Sequence, residues 1–310
     1  MEPDPTGTAA APTAQCPASS APPTSLSKTF GIIARRAFGA LAVAVMVCAA
    51  MWVASPVVAS TPGSAVTADD VVIITNGDLV VYRATGSGTL STNPEVIGGG
   101  FTSVKSFYVV DWNNDGVQDL LVQWSDGRLT FYQGNAAGGF ELPVQIGTGW
   151  QGWSITVGSW KNSDRYPGIV ARNLAGDLYY YQNLTGGVLT SGTLIGTVWS
   201  GLGITQIDFD GDGNQDILAR ATDGTLRLYR STGSGGFINE TRAVVGTGWN
   251  DMTGIVPTAG FAGANTLGLI ARASTGGLRY YPVNPGGTWG QTTVIGTGWN
   301  GLIIFGSSAP

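Results

Sequence analysis

A phrase of five residues recurs five times along the chain at a nearly constant spacing. Each copy begins with Ile or Val, continues with Gly, and ends with Trp or, in the first copy, Phe. The second residues of the five copies, which are 49 or 50 residues apart, are Gly98, Gly147, Gly196, Gly246 and Gly296. A leucine followed three residues later by a tyrosine keeps the same period, at Leu79, Leu129, Leu178, Leu226 and Leu278. Such a period indicates a repeat fold in which every copy is one supersecondary unit.

Each repeat contains about four short runs of strand-forming residues separated by Gly, Asp or Asn. In the third copy the predicted strands are Gly203–Asp208, Asp216–Arg220, Thr225–Tyr229 and Ala243–Val245. Asp-Gly pairs such as Asp223-Gly224 favour hairpin turns, because glycine tolerates the positive φ that these turns require. Four strands in a repeat of this length are typical of one β-propeller blade.

The phase of the repeat predicts that the propeller closes on itself. Four whole blades span about 100–147, 149–196, 198–246 and 248–296. The remaining strands lie at the two ends of the repeat region, with Val71–Ile74 and Asp78–Arg83 at its start and Gly301–Phe305 at its end. Together they complete a fifth blade, which removes the exposed sheet edges of an open array. The predicted fold class is therefore all-β, a five-bladed β-propeller of four-stranded blades over residues 71–310, with the last blade closed by N- and C-terminal strands.

The residues before the repeats read as an export leader. The predicted segments are a disordered N-terminal segment (1–30), an export signal or signal-anchor helix (31–60) and a linker (61–70). Arg35 and Arg36 precede the uncharged apolar run Ala37–Ala54, and Val58-Ala59-Ser60 offers small residues to a signal peptidase. Two readings stay open: a cleaved signal peptide, or a membrane tether through residues 37–54, whose 18 residues reach the lower limit for spanning a bilayer. Both predict a secreted or cell-surface protein.

The composition excludes several classes of function. The net charge of −5 gives no source of attraction to phosphate, so nucleic acid is not an expected partner. The chain has no histidine, which removes the commonest general base and every histidine-containing triad. Its two cysteines, Cys16 and Cys48, precede the repeats, so no disulfide or zinc–cysteine site is expected in the propeller.

One nine-residue pattern, D-x-[DN]-x-D-G-x-x-D, predicts two calcium sites. Its oxygens can converge on one ion if the chain coils tightly, and the glycine at position 6 permits that bend. The first loop offers Asp111, Asn113, Asp115 and Asp119 with the carbonyl of Val117, and the second offers Asp208, Asp210, Asp212 and Asp216 with the carbonyl of Asn214. Ligand sets made only of oxygen favour Ca²⁺ over transition metals. The simpler alternative is an Asp-rich turn without metal. With four aspartates, the second loop is expected to bind more tightly.

These two loops resemble the calcium loops of FG-GAP/VCBS repeats, which occur in integrin α-chain propellers and in many secreted bacterial proteins. The resemblance covers residues 71–310 and implies that the ions are structural, each holding the connection between the first two strands of a blade. The Ile-Gly-Thr-Gly-Trp phrase and the five-fold count also resemble tachylectin, a five-bladed lectin. The other blades have lost the loop, since Trp160–Arg165 lacks the final acid and Ala259–Leu267 has no acid at all.

Two further series are candidate carbohydrate-binding residues. The tryptophans of the repeated phrase are Trp150, Trp199, Trp249 and Trp299. They either fill the wedge between blades or form a sugar-stacking platform with the threonine two positions before each. The second series ends a strand in three blades, at Arg172, Arg220 and Arg272, with Gln123 at the equivalent place. These arginines either bind an anionic or polyhydroxylated ligand or pair with nearby acids.

The sequence thus predicts a non-catalytic recognition module and no enzyme. Seven of the 18 acids after residue 60 lie in the two loops, and the others show no pairing typical of a glycosidase. A lectin-like protein that binds an extracellular glycan is the first hypothesis. An extracellular module that binds a surface protein is the alternative, and a secreted hydrolase is the least favoured.

Overall fold

The structure, a computed structural model, describes residues 64–304. Twenty-one strands in this range form five antiparallel sheets, arranged as the blades of a propeller. Within the same range no helix is long and apolar enough to span a membrane. The predicted disordered segment 1–30 and the predicted export segment 31–60 lie outside the described residues.

Each blade is a meander in which consecutive strands pair, and the blades are numbered along the chain. Blade 1 comprises β4 (Val104–Val110), β5 (Asp119–Trp124), β6 (Leu129–Tyr132) and β7 (Val144–Gly147). Blade 2 comprises β8 (Ser154–Gly158), β9 (Gly168–Arg172), β10 (Leu178–Tyr181) and β11 (Thr193–Gly196). Blade 3 comprises β12 (Gly203–Ile207), β13 (Asp216–Arg220), β14 (Leu226–Tyr229) and β15 (Val244–Gly246). Blade 4 comprises β16 (Met252–Ala259), β17 (Leu267–Ala273), β18 (Leu278–Asn284), β19 (Thr288–Trp289) and β20 (Thr293–Gly296).

The fifth blade, here called the composite blade, contains the two ends of the described chain. It comprises β21 (Ile303–Ile304), β1 (Val71–Thr75), β2 (Asp78–Tyr82) and β3 (Glu95–Gly99). Ile304 pairs with Ile73, and Ile303 pairs with Ile74, in an antiparallel register. The predicted five-bladed propeller and its closure by N- and C-terminal strands are therefore confirmed.

The observed strands differ from the predicted ones only in detail. Blade 4 carries a fifth strand, because β18 extends beyond the other third strands and pairs with the two-residue strand β19. The last strand begins at Ile303 rather than Gly301, because Gly301 is held at a φ of 70° in the turn that follows Trp299.

Aromatic pairs join every blade to the next. The aromatic ring that ends each repeated phrase lies against a tyrosine on the third strand of the following blade. The distances between the ring centroids are 4.4–5.7 Å. The pairs are Phe101–Tyr132, Trp150–Tyr181, Trp199–Tyr229, Trp249–Tyr281 and Trp299–Tyr82. The last of these joins blade 4 to the composite blade, so the same contact runs around the whole ring.

A second repeated contact fixes one end of each blade. The backbone N–H of the aromatic residue donates to the carbonyl of the glycine that turns the chain between the second and third strands, at 2.7–3.0 Å. These acceptors are Gly77, Gly127, Gly176, Gly224 and Gly276, all with φ between 81° and 90°. A Cβ on any of them would lie within 2.7 Å of the residue that follows the aromatic ring, so only glycine fits there. This end of the propeller is called the turn face, and the opposite end, where the first and second strands connect, is called the loop face.

Candidate functional site

The second acidic loop brings three carboxylates together on the loop face. One oxygen each from Asp208, Asp210 and Asp216 lies within 4.8 Å of the others. Oxygens that share one calcium ion are at most about 5 Å apart, because each is ~2.3–2.6 Å from the ion. The geometry of these three residues therefore fits a calcium ion. Asp212 is exposed, and its Oδ1 accepts the N–H of Asn214 at 2.8 Å.

The oxygens of the first acidic loop accept backbone N–H groups of that loop, as those of the second loop also do. Asp111 accepts the N–H groups of Asp115 and Gly116 at 3.0 and 2.9 Å, and Asp115 accepts the N–H of Val117 at 2.9 Å. Asn113 also accepts the Asp115 N–H, at 3.0 Å. Within residues 64–304, three acidic groups meet closely enough for one ion only in the second loop. The calcium assignment of both loops stays a prediction, and the second loop fits it better.

The last aspartate of each loop also organises its blade. Asp119 accepts the backbone N–H of Gly134 at 2.7 Å, and Asp216 accepts that of Ser231 at 2.9 Å. Asp70, at the same place in the composite blade, accepts the N–H of Ala84 at 2.9 Å. In all three blades a buried carboxylate thus satisfies the amide that follows the third strand. Sequence reasoning missed Asp70, because the chain termini interrupt the loop that would have identified it.

Burial changes the protonation of these carboxyl groups. Loss of solvent raises the pKa of Asp216 to about 7, and the nearby charges of Asp210 and Asp212 also raise it, against N–H bonds that favour the charged form. Burial likewise raises the pKa of Asp119 to about 6. The pKa of Asp208 is raised as well, by burial first and then by its acidic neighbours. A cation in the second loop would compensate this repulsion.

A polar residue after the third-strand tyrosine reaches the acidic group of its own blade. Arg230 donates to Asp210 at 3.0 Å, and Gln133 donates to Asp115 at 3.1 Å. Arg83 likewise donates to Asp70 at 2.8 Å. This series was missed in the sequence, although the shared position after each tyrosine of the repeat is a signal that could have found it.

Blades 2 and 4, which lack the loop, fill the same space with an aromatic ring. Gly168 and Gly268 replace the aspartate, and an added Cβ would lie 2.6 and 2.5 Å from the rings of Tyr180 and Tyr280. In blade 2 the Tyr180 hydroxyl donates to Asp164. The amine of Lys161 lies 5.3 Å from the centre of the same ring. In blade 2 a tyrosine and a lysine therefore stand where blade 3 gathers carboxylates.

The repeated tryptophans are buried between the blades. The exposed fractions of Trp150, Trp199, Trp249 and Trp299 are 2, 4, 5 and 7%. Each indole nitrogen also lies over the glycine at the second position of its own phrase, where a Cβ would be 2.5–2.6 Å away. The rings therefore pack against the next blade and against their own turn. Their assignment to a sugar platform stays a prediction, which this burial does not favour.

The strand-end arginines bind backbone carbonyls. Arg172, Arg220 and Arg272 each donate to the carbonyl of the tryptophan in their own blade, at 3.3 Å. Gln123, at the equivalent position of blade 1, donates to the Trp150 carbonyl at 2.6 Å. These groups support the connection from one blade to the next, and their assignment to a ligand stays a prediction.

The turn face presents uncharged polar side chains next to each buried tryptophan. The threonine two residues before the ring is exposed in four blades, at Thr148, Thr197, Thr247 and Thr297. The residue after the ring is also exposed and polar, and is Gln151, Ser200, Asn250 or Asn300. Hydroxyl and amide groups therefore recur in the same arrangement on four blades, on a turn that the tryptophan holds in place.

Two segments of the chain, residues 68–122 and 208–259, match the family model of the FG-GAP-like repeat. Each matched segment contains one of the acidic loops. The chain is therefore similar to FG-GAP-like repeats in these two segments. None of the curated protein sequences matches it.

Several solved structures are similar in fold at low identity. A lectin from Agrocybe aegerita, described for its recognition of non-reducing terminal N-acetylglucosamine, is 12% identical over 77% of this chain and 82% of its own, with a TM-score of 0.46. The BP39L lectin from Burkholderia pseudomallei is 16% identical over 72% of this chain and 69% of its own, with a TM-score of 0.44. A mutant Aleuria aurantia lectin in complex with α-methyl-L-fucoside is 16% identical over 76% of this chain and 80% of its own, with a TM-score of 0.40. N-acetylglucosamine and α-methyl-L-fucoside are ligands of these lectins.

Proposed function

We propose that the protein is an exported β-propeller that recognises carbohydrate without catalysis, through the repeated polar groups of the turn face. The observation that carries the proposal is the exposed threonine kept in four of the five phrases, at Thr148, Thr197, Thr247 and Thr297. Neither the packing of the tryptophan nor the turn requires a hydroxyl there, since the composite blade has Gly99 in its place. Uncharged hydroxyl and amide groups are suited to a neutral ligand rich in hydroxyls.

Repetition would compensate for weak binding at each turn. Four similar turns on one rigid ring can contact several sugars of one surface at once, so that each further contact becomes intramolecular. Such a module needs no catalytic group. Four acids outside the loops that could have served as catalysts all have partners: Glu95 with Arg83, Glu141 with Asn135, Asp164 with Gln182, and Glu240 with Arg230.

Calcium belongs to the proposal as a structural ion. Asp208, Asp210 and Asp216 would hold it in blade 3, while Asp111, Asn113, Asp115 and Asp119 would hold a second in blade 1. When bound, the ion supplies positive charge that neutralises the clustered carboxylates. The last aspartate of each loop ties the start of the second strand to the connection after the third strand, through the N–H groups of Ser231 and Gly134. Chelation is expected to lower the melting temperature, because a site filled to ~100 times its dissociation constant adds about 2.7 kcal/mol.

The proposed location outside the cell depends on the predicted export segment, residues 31–60. The apolar run Ala37–Ala54 with Arg35 and Arg36 before it supports export, either with cleavage or with retention as a membrane tether. Fractionation of cells that express the full chain, followed by N-terminal sequencing of the mature protein, separates these outcomes.

A glycan array tests the function directly. The wild-type chain is compared with a variant in which the four turn-face threonines are changed to valine, which keeps their shape and removes their hydroxyls. We expect glycan binding to weaken by about tenfold or more, since one hydrogen bond of ~1–1.5 kcal/mol already accounts for that factor. The melting temperature should not change, because these side chains are exposed.

Thr193→Val combined with Thr293→Val is the matched control, since both threonines are exposed on outer strands away from the turn face. This control should bind like the wild type. The proposal fails if the wild type binds no glycan, or if the four-threonine variant binds as the wild type does.

One observation favours a second function, binding of a surface protein. The outermost strands of four blades expose an aliphatic side chain at the same register position, with exposed fractions of 52–64%. These residues are Val96, Leu194, Val244 and Val294. Val244→Lys combined with Val294→Lys would abolish capture of a surface protein in a pull-down if this rim is the binding surface, and would leave glycan binding unchanged.

A further inference from the structure

A cavity of about 210 Å³ lies on the loop face, where the first strands of blades 1–4 end. Its walls include Val109, Val157, Gln206, Asp208, Pro257 and Thr258. A single water needs only ~10–15 Å³ by the same measure, so the cavity has room for a ligand of several heavy atoms. It lies at the opposite end of the blades from the turn face.

Gln206 stands out among the equivalent residues of the repeat. The strand register places Val109, Val157 and Pro257 at the same position in the other three whole blades. Gln206 is only 2% exposed, and neither its amide oxygen nor its amide nitrogen has a hydrogen-bond partner. A buried polar group without a partner costs ~1–3 kcal/mol, and an apolar residue serves the other blades here. The fold therefore gives no reason for this amide.

Thr258 presents a second case beside it. Its equivalents in the other blades are Val110, Gly158 and Ile207, none of which carries a polar side chain. Thr258 is 3% exposed, and its hydroxyl oxygen also has no partner. Gln206 and Thr258 thus line one cavity, and their three side-chain polar atoms are enclosed and unpaired.

The position of the Gln206 side chain is restricted by its surroundings. Its backbone N–H donates to the Thr156 hydroxyl at 3.1 Å, which ties β12 to β8 of the preceding blade. Its amide group lies over Gly158, where an added Cβ would be 3.0 Å from the amide carbon and nitrogen. The amide therefore packs against the preceding blade, and rotation of the side chain toward the cavity would bring it to a ligand.

We propose that this cavity binds one small, neutral, polyhydroxylated molecule of monosaccharide size. Gln206 would donate to one hydroxyl and accept from a neighbouring one, and Thr258 would bond a third. Pro257, Val109 and Val157 would cover the C–H surface of the ring. Without calcium, the carboxylate of Asp208 at the wall disfavours an anion. This site is separate from the turn face, and it shares only Asp208 with the proposed calcium site.

Saturation-transfer NMR on the full chain tests the site. The probes are D-glucose, D-galactose, D-mannose, N-acetyl-D-glucosamine and myo-inositol, each also titrated calorimetrically for stoichiometry. We expect at least one probe to bind the variant with valine at the four turn-face threonines at one molecule per chain. Gln206→Val, which copies blades 1 and 2, should weaken it about tenfold or more and should not lower the melting temperature. Thr258→Val, which keeps the shape, should weaken it as well.

The variant with valine at the four turn-face threonines is the matched control, and it should keep this single site. The inference is overturned if no probe binds at one per chain, or if the probe binds Gln206→Val and Thr258→Val as it binds the wild type. If Gln206→Val does not fold, Thr258→Val decides by the same criterion. Loss of array binding in the four-threonine variant alone would support the proposed function and leave this site to its own test.

Discussion

Val198 adopts a backbone conformation in the repeated turn that its side chain disfavours. The other four copies have glycine at this position, with φ between 76° and 91°, and Val198 adopts a φ of 69°. A β-branched residue is strained in this left-handed region. The side chain is 88% exposed, so packing does not compensate for the strain.

Val198→Gly is therefore expected to stabilise the protein. Strain of this kind costs ~1–3 kcal/mol, and the added flexibility of glycine costs ~0.5–1 kcal/mol, which leaves a net gain of about 1 kcal/mol. Thermal unfolding of both proteins measures the difference. Gly248→Val, the reverse change in the next copy, should destabilise. Equal melting temperatures for Val198→Gly and the wild type would contradict the strained turn.

Asp216 makes the stability of the calcium-free protein depend on pH. Its folded pKa of about 7 lies above the ordinary aspartate value of ~4, so the fold binds this proton more tightly than the unfolded chain does. Its contribution is fully present below pH ~4 and is lost as the pH rises through about 7. Each unit of pKa shift corresponds to about 1.4 kcal/mol.

In chelator, the melting temperature should therefore fall between pH 5 and 8, and Asp216→Asn should flatten this dependence. With calcium bound, the melting temperature should instead rise with pH, because the ion favours the charged carboxylate. Calcium should therefore bind less tightly as the pH is lowered. A calcium-free protein that becomes more stable toward pH 8 would contradict the raised pKa.

At the scale of elements, the sequence repeat predicts the strands of each blade, but it does not predict the side-chain contacts between blades. Alternating strand-formers and Gly turns predict the four strands of each blade, and the phase predicts closure through β21 and β1. The role of Asp70 could not be read from its surroundings, because its loop is divided between the chain ends. The burial of the tryptophans depends on tyrosines about 30 residues away in the next blade, which local sequence does not specify.

Arg230 is expected to weaken the calcium site of the second loop, because its guanidinium competes for the Asp210 carboxylate at 3.0 Å. Arg230→Gln copies the residue that blade 1 has at this position, Gln133, and should raise calcium affinity by up to about fivefold in a calorimetric titration. Arg227→Gln is the control, since it removes the same charge from an exposed position on β14, the strand that Arg230 follows. Equal effects of the two changes would assign the gain to net charge alone.

The whole molecule is one repeated unit closed into a ring, and its two ends differ in character. The turn face repeats the same polar groups on four blades, as a surface for several equal contacts would. The loop face is irregular, since two blades carry acidic loops, two carry Gly–Tyr replacements, and the cavity contains one unmatched glutamine. The repeated groups of the turn face therefore favour multivalent recognition there, while the blades differ from one another mainly at the loop face.

The most direct test of multivalent recognition is the dissociation rate of the chain from a surface that carries its preferred glycan at high density. The rate is measured for variants with one, two, three and four of the threonines at 148, 197, 247 and 297 changed to valine. If the four turns act together, dissociation should accelerate with each substitution while the melting temperature stays constant. Loss of all binding on a single substitution, or unchanged dissociation after all four, would contradict recognition by the repeated turn face.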